Sequence, residues 1–180
     1  MTITLTRWTI NDYHTIINTG LLIDRRVELL NGLIIEMSPE SPLHADLNRT
    51  IGDQFRIGLG NKVQVSEGKP ITLSNFSEPE PDIALLKPRS YRHSHPTADD
   101  VYLIIEFANT SLEKDTQEKR LAYAQAGIKD YWVANLRDKQ LILYRNPQQG
   151  DYQSQQLLTS GSISLLAFPN ITLEVITLLS

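Results

Sequence analysis

A chain of 180 residues, 41% hydrophobic and 21% charged, has the make-up of a globular protein and fits one domain, 1–180, with a sizeable core. It has no cysteine, which excludes disulfides and thiolate metal sites and suits a reducing cytoplasm. The net charge of −4 excludes a general electrostatic grip on nucleic acid, so any DNA or RNA contact needs a local basic patch.

No apolar run reaches the length of a membrane span, and the opening MTITLTRWTI lacks a leader pattern. The expected location is the cytoplasm. The first element is a short amphipathic helix over Thr9–Thr19, capped by Thr9 or Asn11 and ended by Gly20. Its His14 reads as a surface or packing residue.

Arg26–Met37 carries the clearest local signal. VELL and LIIEM are joined by Asn31-Gly32, the pair that favours a type I′ hairpin turn. Leu30, Leu33, Glu28 and Ile35 then share one side, and Val27, Leu29, Ile34 and Glu36 the other. Each side holds one acid among apolar residues. Glu28 is either an edge acid paired with Arg25 or Arg26, or a semi-buried acid of a site. After a turn-rich link with two prolines, Leu43–Leu59 reads as a helix with Leu47, Ile51 and Phe55 on one face. His44 stands at its first turn, either partly buried beside a local partner or facing a phosphate.

Lys62–Val65 and Ile71–Leu73 read as short strands around the turn SEGKP. Asp82–Leu86 and Val101–Phe107 have the length and composition of buried strands, and each carries one carboxylate, Asp82 and Glu106. Between them Lys87–Asp100 holds Lys87, Arg89, Tyr91, Arg92, His93 and His95. It is either a nucleic-acid backbone contact or a solvated connection. His93 and His95 alone lack the third ligand that zinc requires, so the solvated reading is preferred for them.

A helix follows at once. Thr110 and Glu113 form the pattern of a capping box, and Gly127 supplies the stop. At about 100° per residue, Leu112, Thr116, Ala122, Tyr123 and Ala126 lie on the side facing the sheet. Asp115 and Lys119 fall in the middle of that stripe. A lysine there requires an anionic partner. Asp115, one turn back, and Glu106, at the end of the preceding strand, are the candidates. Two carboxylates and an ammonium in one pocket can hold a divalent cation and steady a phosphate.

Asp130–Val133, the turn ANLRDKQ and Leu141–Tyr144 read as a hairpin. Tyr152–Leu158 and Ile171–Leu178 are strand-like or short helical pieces around the turn Phe168-Pro169-Asn170. The apolar tail LEVITLLS requires cover from the domain or from a second subunit, and a homodimer is the expectation.

These segments together resemble the Uma2 family, also known as DUF820, in its cyanobacterial type. The likeness runs through VELLNG and MSP (27–39), His44, PEPDIAL (79–85), IIEFANTS (104–111), DTQEK (115–119) and YAQAGIKDYWVAN (123–135). That family belongs to the PD-(D/E)XK nuclease superfamily. The resemblance implies an α/β (α+β) fold with a restriction-endonuclease-like core, a mixed central sheet flanked by helices, with extra β-hairpins. It implies a metal-dependent endonuclease that hydrolyses phosphodiester bonds of DNA; the alternative is a non-catalytic binding or assembly module of the same fold. Asp82 matches the acid of "PD" and Glu106 that of "(D/E)XK". The superfamily's lysine would stand at 108, where this chain has Ala108, and Lys119 matches the family's lysine on the next helix. Glu28 and His44 match recurrent polar positions. The implied site is therefore Asp82, Glu106 and Lys119, supported by His44, Glu28 and Asp115. Asp82 and Glu106, with the Phe107 carbonyl, would bind Mg²⁺ or Mn²⁺. The chain departs from the family at Asn109-Thr110-Ser111-Leu112, often Ser-Pro-Ser-Thr, and at Asn135, often Asp.

Overall fold

The computed structural model describes residues 5–180; the first four, part of the stretch read as lacking a leader, lie outside the described residues. Helix α1 (Ile10–Asn18) starts at Thr9. Its hydroxyl accepts from the Asp12 N–H, and the Asp12 carboxylate accepts from the Thr9 N–H, so Thr9 and not Asn11 is the cap. Strands β1 (Val27–Leu30) and β2 (Leu33–Glu36) form the expected hairpin, with Leu30 opposite Leu33 and Glu28 opposite Ile35. Asn31 and Gly32 both have positive φ, 51° and 76°, as a type I′ turn requires. Val27, Leu29 and Ile34 pack with Tyr13 of α1, so Glu28 and Leu30 face the rest of the molecule.

A Cβ on Gly32 would lie 2.6 Å from Arg7 Cβ, at a φ that disfavours side chains. Gly32→Ala should therefore cost about 1–3 kcal/mol of stability, measured by urea unfolding; unchanged stability would contradict the turn geometry.

Helix α2 (Pro42–Leu59) begins at Ser41, whose hydroxyl accepts from the His44 N–H, with Pro42 in the first turn. The next six strands are β3 (Gln64–Glu67), β4 (Ile83–Leu86), β5 (Val101–Ala108), β6 (Asp130–Asn135), β7 (Gln140–Gln148) and β8 (Asp151–Leu158). They form one sheet in the order β3-β4-β5-β6-β7-β8. Only β5 and β6 run parallel, and the helical segment between them makes the crossover. The fold is thus α+β with a mixed central sheet flanked by helices, as expected. The predicted strand at Ile71–Leu73 is reduced to a single bridge, Thr72 to Thr97, because the Ile71 and Leu73 N–H groups turn back to Pro79 and Ser77.

One face of the sheet meets α2. Leu47, Ile51 and Phe55 pack there on Ile83, Leu85, Leu103, Ile105 and Phe107. The other face carries Ala84, Leu86, Ile104 and Ala108, covered by Tyr123, with Tyr131, Tyr144 and Tyr152 beyond. The C-terminal segment forms β9 (Ser162–Ser164), β10 (Thr172–Glu174) and a 3₁₀ turn, Val175–Leu178. Val175, Leu178 and Leu179 are buried in the first of these two layers. The tail is covered by its own chain, which removes the ground it offered for a second subunit. No helix among the described residues is long and apolar enough to cross a membrane.

The segment after β5 corrects the sequence reading. Helix α3 (Leu112–Lys114) is a single turn, followed by a π-helical turn, Asp115–Lys119, and then α4 (Arg120–Gln125). The Thr110–Glu113 capping box does not form. Ser111 precedes the helix without capping it, and its hydroxyl donates to Asp115 Oδ2 at 2.6 Å. π-turns inside helices recur at functional sites.

Candidate active site

Strands β4 and β5 place the two acids. Ile83 pairs with Ile105, so one step outward Asp82 stands opposite Glu106. Asp82 lies just before β4, and its Oδ2 accepts the Phe107 N–H at 2.7 Å. In a strand a residue's N–H and C=O point to the same side, so the Phe107 carbonyl faces that edge too. Glu106 Oε1 accepts from Lys119 Nζ at 2.8 Å and from the Tyr123 hydroxyl at 2.9 Å.

Lys119 is 2% exposed and reaches across to the hairpin, 3.3 Å from Glu28 Oε2. Glu28 is fully buried; its Oε1 accepts from Lys114 Nζ at 2.9 Å and its Oε2 from the Glu80 N–H at 3.1 Å. The edge pairing offered for Glu28 belongs instead to Glu36, which meets Arg25 at 3.1 Å on the surface. The expected Asp115–Lys119 pair is absent among the described residues: Lys119 pairs with Glu106 and Glu28, and Asp115 with Ser111. Both side chains still lie buried on the inner face of the π-turn, whose backbone the Tyr131 hydroxyl anchors by donating to the Asp115 carbonyl.

His44 comes from the first turn of α2. Its Nε2 lies 3.0 Å from Asp82 Oδ1, at an angle too oblique for a hydrogen bond, and has no other partner among the described residues. A cavity of about 120 Å³ opens between these groups, lined by His44, Asp82, Glu106, Asp115 and Lys119, with Lys114 and Arg26 at its walls. All six residues expected at the site are thus brought together, Glu28 from behind the two lysines. The loop 87–100 is not part of it: Arg89 holds the buried Asp100 at 2.6 Å and stacks on Tyr91. Asn135 is also elsewhere, its side chain tied to Asp138 in the β6–β7 turn. Lys114 and Glu80 were missed by the sequence reading. Lys114 lies outside the apolar stripe, and only the fold shows that the hairpin reaches it.

The electrostatics follow from burial and crowding. Burial pushes Glu106 up to about 8 against the pull of Lys119, and Asp82, Asp115 and Glu28 push the same way. Burial also raises Asp115, more than Lys119 and Ser111 lower it. Burial alone would raise Glu28, but Lys119 and Lys114 outweigh it and hold it below the usual range. Lys119 would be lowered by burial; Glu106, Glu28, Asp115 and Asp82 keep it charged, well above the ordinary value. Burial alone would lower His44, but Asp82 outweighs it and raises it.

A divalent cation fits this set. The donors at Asp82 and Glu106 are hard oxygens, and burial and the neighbouring acids, which together raise Glu106, disfavour a charge that such a cation would offset. Asp115 does not complete a compact three-carboxylate cluster with them.

Residues 11–176 match the sequence profile of the Uma2 family, described as "Putative restriction endonuclease". The chain belongs to the Uma2 family. No curated protein is similar enough in sequence to match. Among solved structures, a DUF820 protein from Anabaena variabilis, described as a putative nuclease, superposes with a TM-score of 0.69 at 13% identity. The match covers 86% of this chain and 90% of that one, and at this identity it shows a shared fold. In this Uma2 chain the ammonium that reaches Glu106 is that of Lys119.

Proposed function

We propose that the chain is an endonuclease that hydrolyses phosphodiester bonds of DNA with Mg²⁺ or Mn²⁺. The convergence of Asp82, Glu106 and Lys119 on one cavity supports this most directly. Membership of a family described as a putative restriction endonuclease supports the nuclease class. A cytoplasmic setting fits both a DNA substrate and a chain without cysteine.

Asp82, Glu106 and the Phe107 carbonyl would hold the cation, which supplies positive charge to polarise the scissile phosphate and acidify water. Asp82 is oriented for this by the Phe107 N–H. Lys119, fixed by Glu106 and Glu28, directs its ammonium at the attacking water or at the charge that develops on the phosphate. Lys114, partly exposed at the wall, faces the incoming phosphate backbone. His44 stands 3.0 Å from the other oxygen of Asp82, on the outer side of the pocket.

Cleavage of supercoiled plasmid or single-stranded DNA, with Mg²⁺ and Mn²⁺ compared against chelator, tests the activity. No cleavage of either DNA under any condition would contradict it. The second reading is a binding module, favoured by the closed pairing of Lys119 with two acids and by the small cavity. A module of that kind would show no thermal shift with Mn²⁺.

The pH dependence has a definite sign. Glu106 has a folded value, about 8, above its unfolded one. Its contribution to stability is therefore full below the ordinary carboxylate range and lost as pH rises through about 8. Cation binding needs the carboxylate and strengthens over the same interval. The Mn²⁺-induced rise in melting temperature should be larger at pH 8.5 than at pH 6. An equal shift at both would remove Glu106 from the ligand set.

A further inference from the structure

Three side chains that the Asp82–Glu106 pocket does not use meet on another side of the hairpin. His14 Nε2 lies 2.6 Å from Glu78 Oε1. The rings of His14 and His95 meet edge to face at 6.2 Å. One ligand atom from each of His14, Glu78 and His95 lies within 4.8 Å of the other two, and among the described residues this is the one group of three such side chains that does so.

We propose that His14, Glu78 and His95 form a second metal site, suited to Zn²⁺ and similar transition ions, that fastens the loop 87–100 to helix α1.

Glu78 is the anchor. It is 2% exposed, its other oxygen accepts from the Thr72 hydroxyl at 2.8 Å, and its N–H donates to Leu29 of the hairpin. Its carboxylate is therefore fixed, and its partner hydroxyl plays the outer-shell part that ligating carboxylates usually have. The two histidines are the movable ligands. His14 is 43% exposed on a short helix, and His95 is exposed and makes no hydrogen bond with the described residues. Ligands on tetrahedral zinc at 2.0–2.1 Å stand roughly 3.3 Å apart, so the His14–Glu78 contact has to open by less than about 1 Å. Both groups border a cavity of about 480 Å³ in which His14 has room to move.

The donor set selects the ion. Two imidazoles and one carboxylate suit zinc, cobalt, nickel or copper, whereas Mg²⁺ prefers oxygen alone. Three protein ligands leave a fourth position for water. Arg25 and Arg26 border the same cavity, but their charge is drawn outward by Glu36 and Glu40, each at 3.1 Å. The three ligands come from α1, the approach to β4 and the basic loop, so one ion ties together parts that share few covalent neighbours.

The full chain, freed of metal and held in excess Mg²⁺, is titrated calorimetrically with Zn²⁺. One Zn²⁺ per chain is expected in the wild type and in Asp82→Asn, with binding at least about 100-fold weaker in His95→Ala and in His14→Ala. His95 is exposed, and circular dichroism checks that its variant is folded. Trypsin cleavage at Arg89 and Arg92 should slow with Zn²⁺ in the wild type and not in His95→Ala. Wild-type protein that takes up no Zn²⁺ overturns the site. So does binding unchanged in both histidine variants, or binding lost in Asp82→Asn and kept in them. Zn²⁺ uptake with unaltered cleavage of the loop overturns the fastening. The outcome is independent of whether the chain cuts DNA.

Discussion

Asp82→Asn should abolish metal-dependent DNA cleavage, by about a thousandfold or more, while the protein stays folded. The size follows from the several kcal/mol of charge stabilisation that a catalytic cation contributes, at 1.36 kcal/mol per tenfold in rate. The fold survives because the asparagine carbonyl still accepts the Phe107 N–H that Asp82 accepts at 2.7 Å. Glu106→Gln should behave the same way, since its amide oxygen still accepts from Lys119 and Tyr123. Glu106→Ala is a poorer probe: it leaves Lys119 with Glu28 alone and strands the buried Tyr123 hydroxyl. Plasmid cleavage with Mn²⁺, read beside circular dichroism, checks both variants. Cleavage retained in Asp82→Asn and in Glu106→Gln would rule out this site.

Lys119→Met should cost about 3–5 kcal/mol of stability as well as activity, because it leaves two buried acids without their shared cation. The pair Glu28 and Glu106 would then be neutralised by protonation. Loss of the ammonium raises both folded values, that of Glu106 further above its unfolded one and that of Glu28 upward from below it, so the loss should grow as pH increases and be smallest near pH 5. Adding Glu28→Gln to the lysine variant should restore part of the stability, which a merely local packing defect would not allow. Urea unfolding at pH 5 and pH 8 measures all three quantities. A cost below about 1 kcal/mol at both would mean that Lys119 is not the buried cation of this network.

Most of the core was legible because its signals are local. The Asn31-Gly32 turn fixes the hairpin register, and the two apolar runs, one starting at Asp82 and one with Glu106 near its end, are long enough to be buried strands. Lys119 was legible as an anomaly, a cation in an apolar stripe that had to find an anion. The identity of that anion was only half legible. A helix read at a constant angle per residue puts Asp115 under Lys119, whereas the π-turn gives Asp115 to Ser111 and Lys119 to Glu106 and Glu28. Which side of the hairpin faces inward could not be decided from VELLNGLIIE, since each side carries one acid. Tyr13 of α1 decides it by covering Val27 and Leu29. His14 looked solitary and His95 was set only beside His93, because residues so far apart in the chain as His14 and His95 meet only once the fold brings α1 against the loop.

Calorimetric Mn²⁺ binding by the wild type, Asp82→Asn and Glu106→Gln bears most directly on the pocket. One Mn²⁺ per wild-type chain, displaced by Mg²⁺, lost in both carboxylate variants and kept in His95→Ala, is the expected result. Undiminished binding in both carboxylate variants, or a folded wild type that binds no Mn²⁺, would contradict a cation held between Asp82 and Glu106.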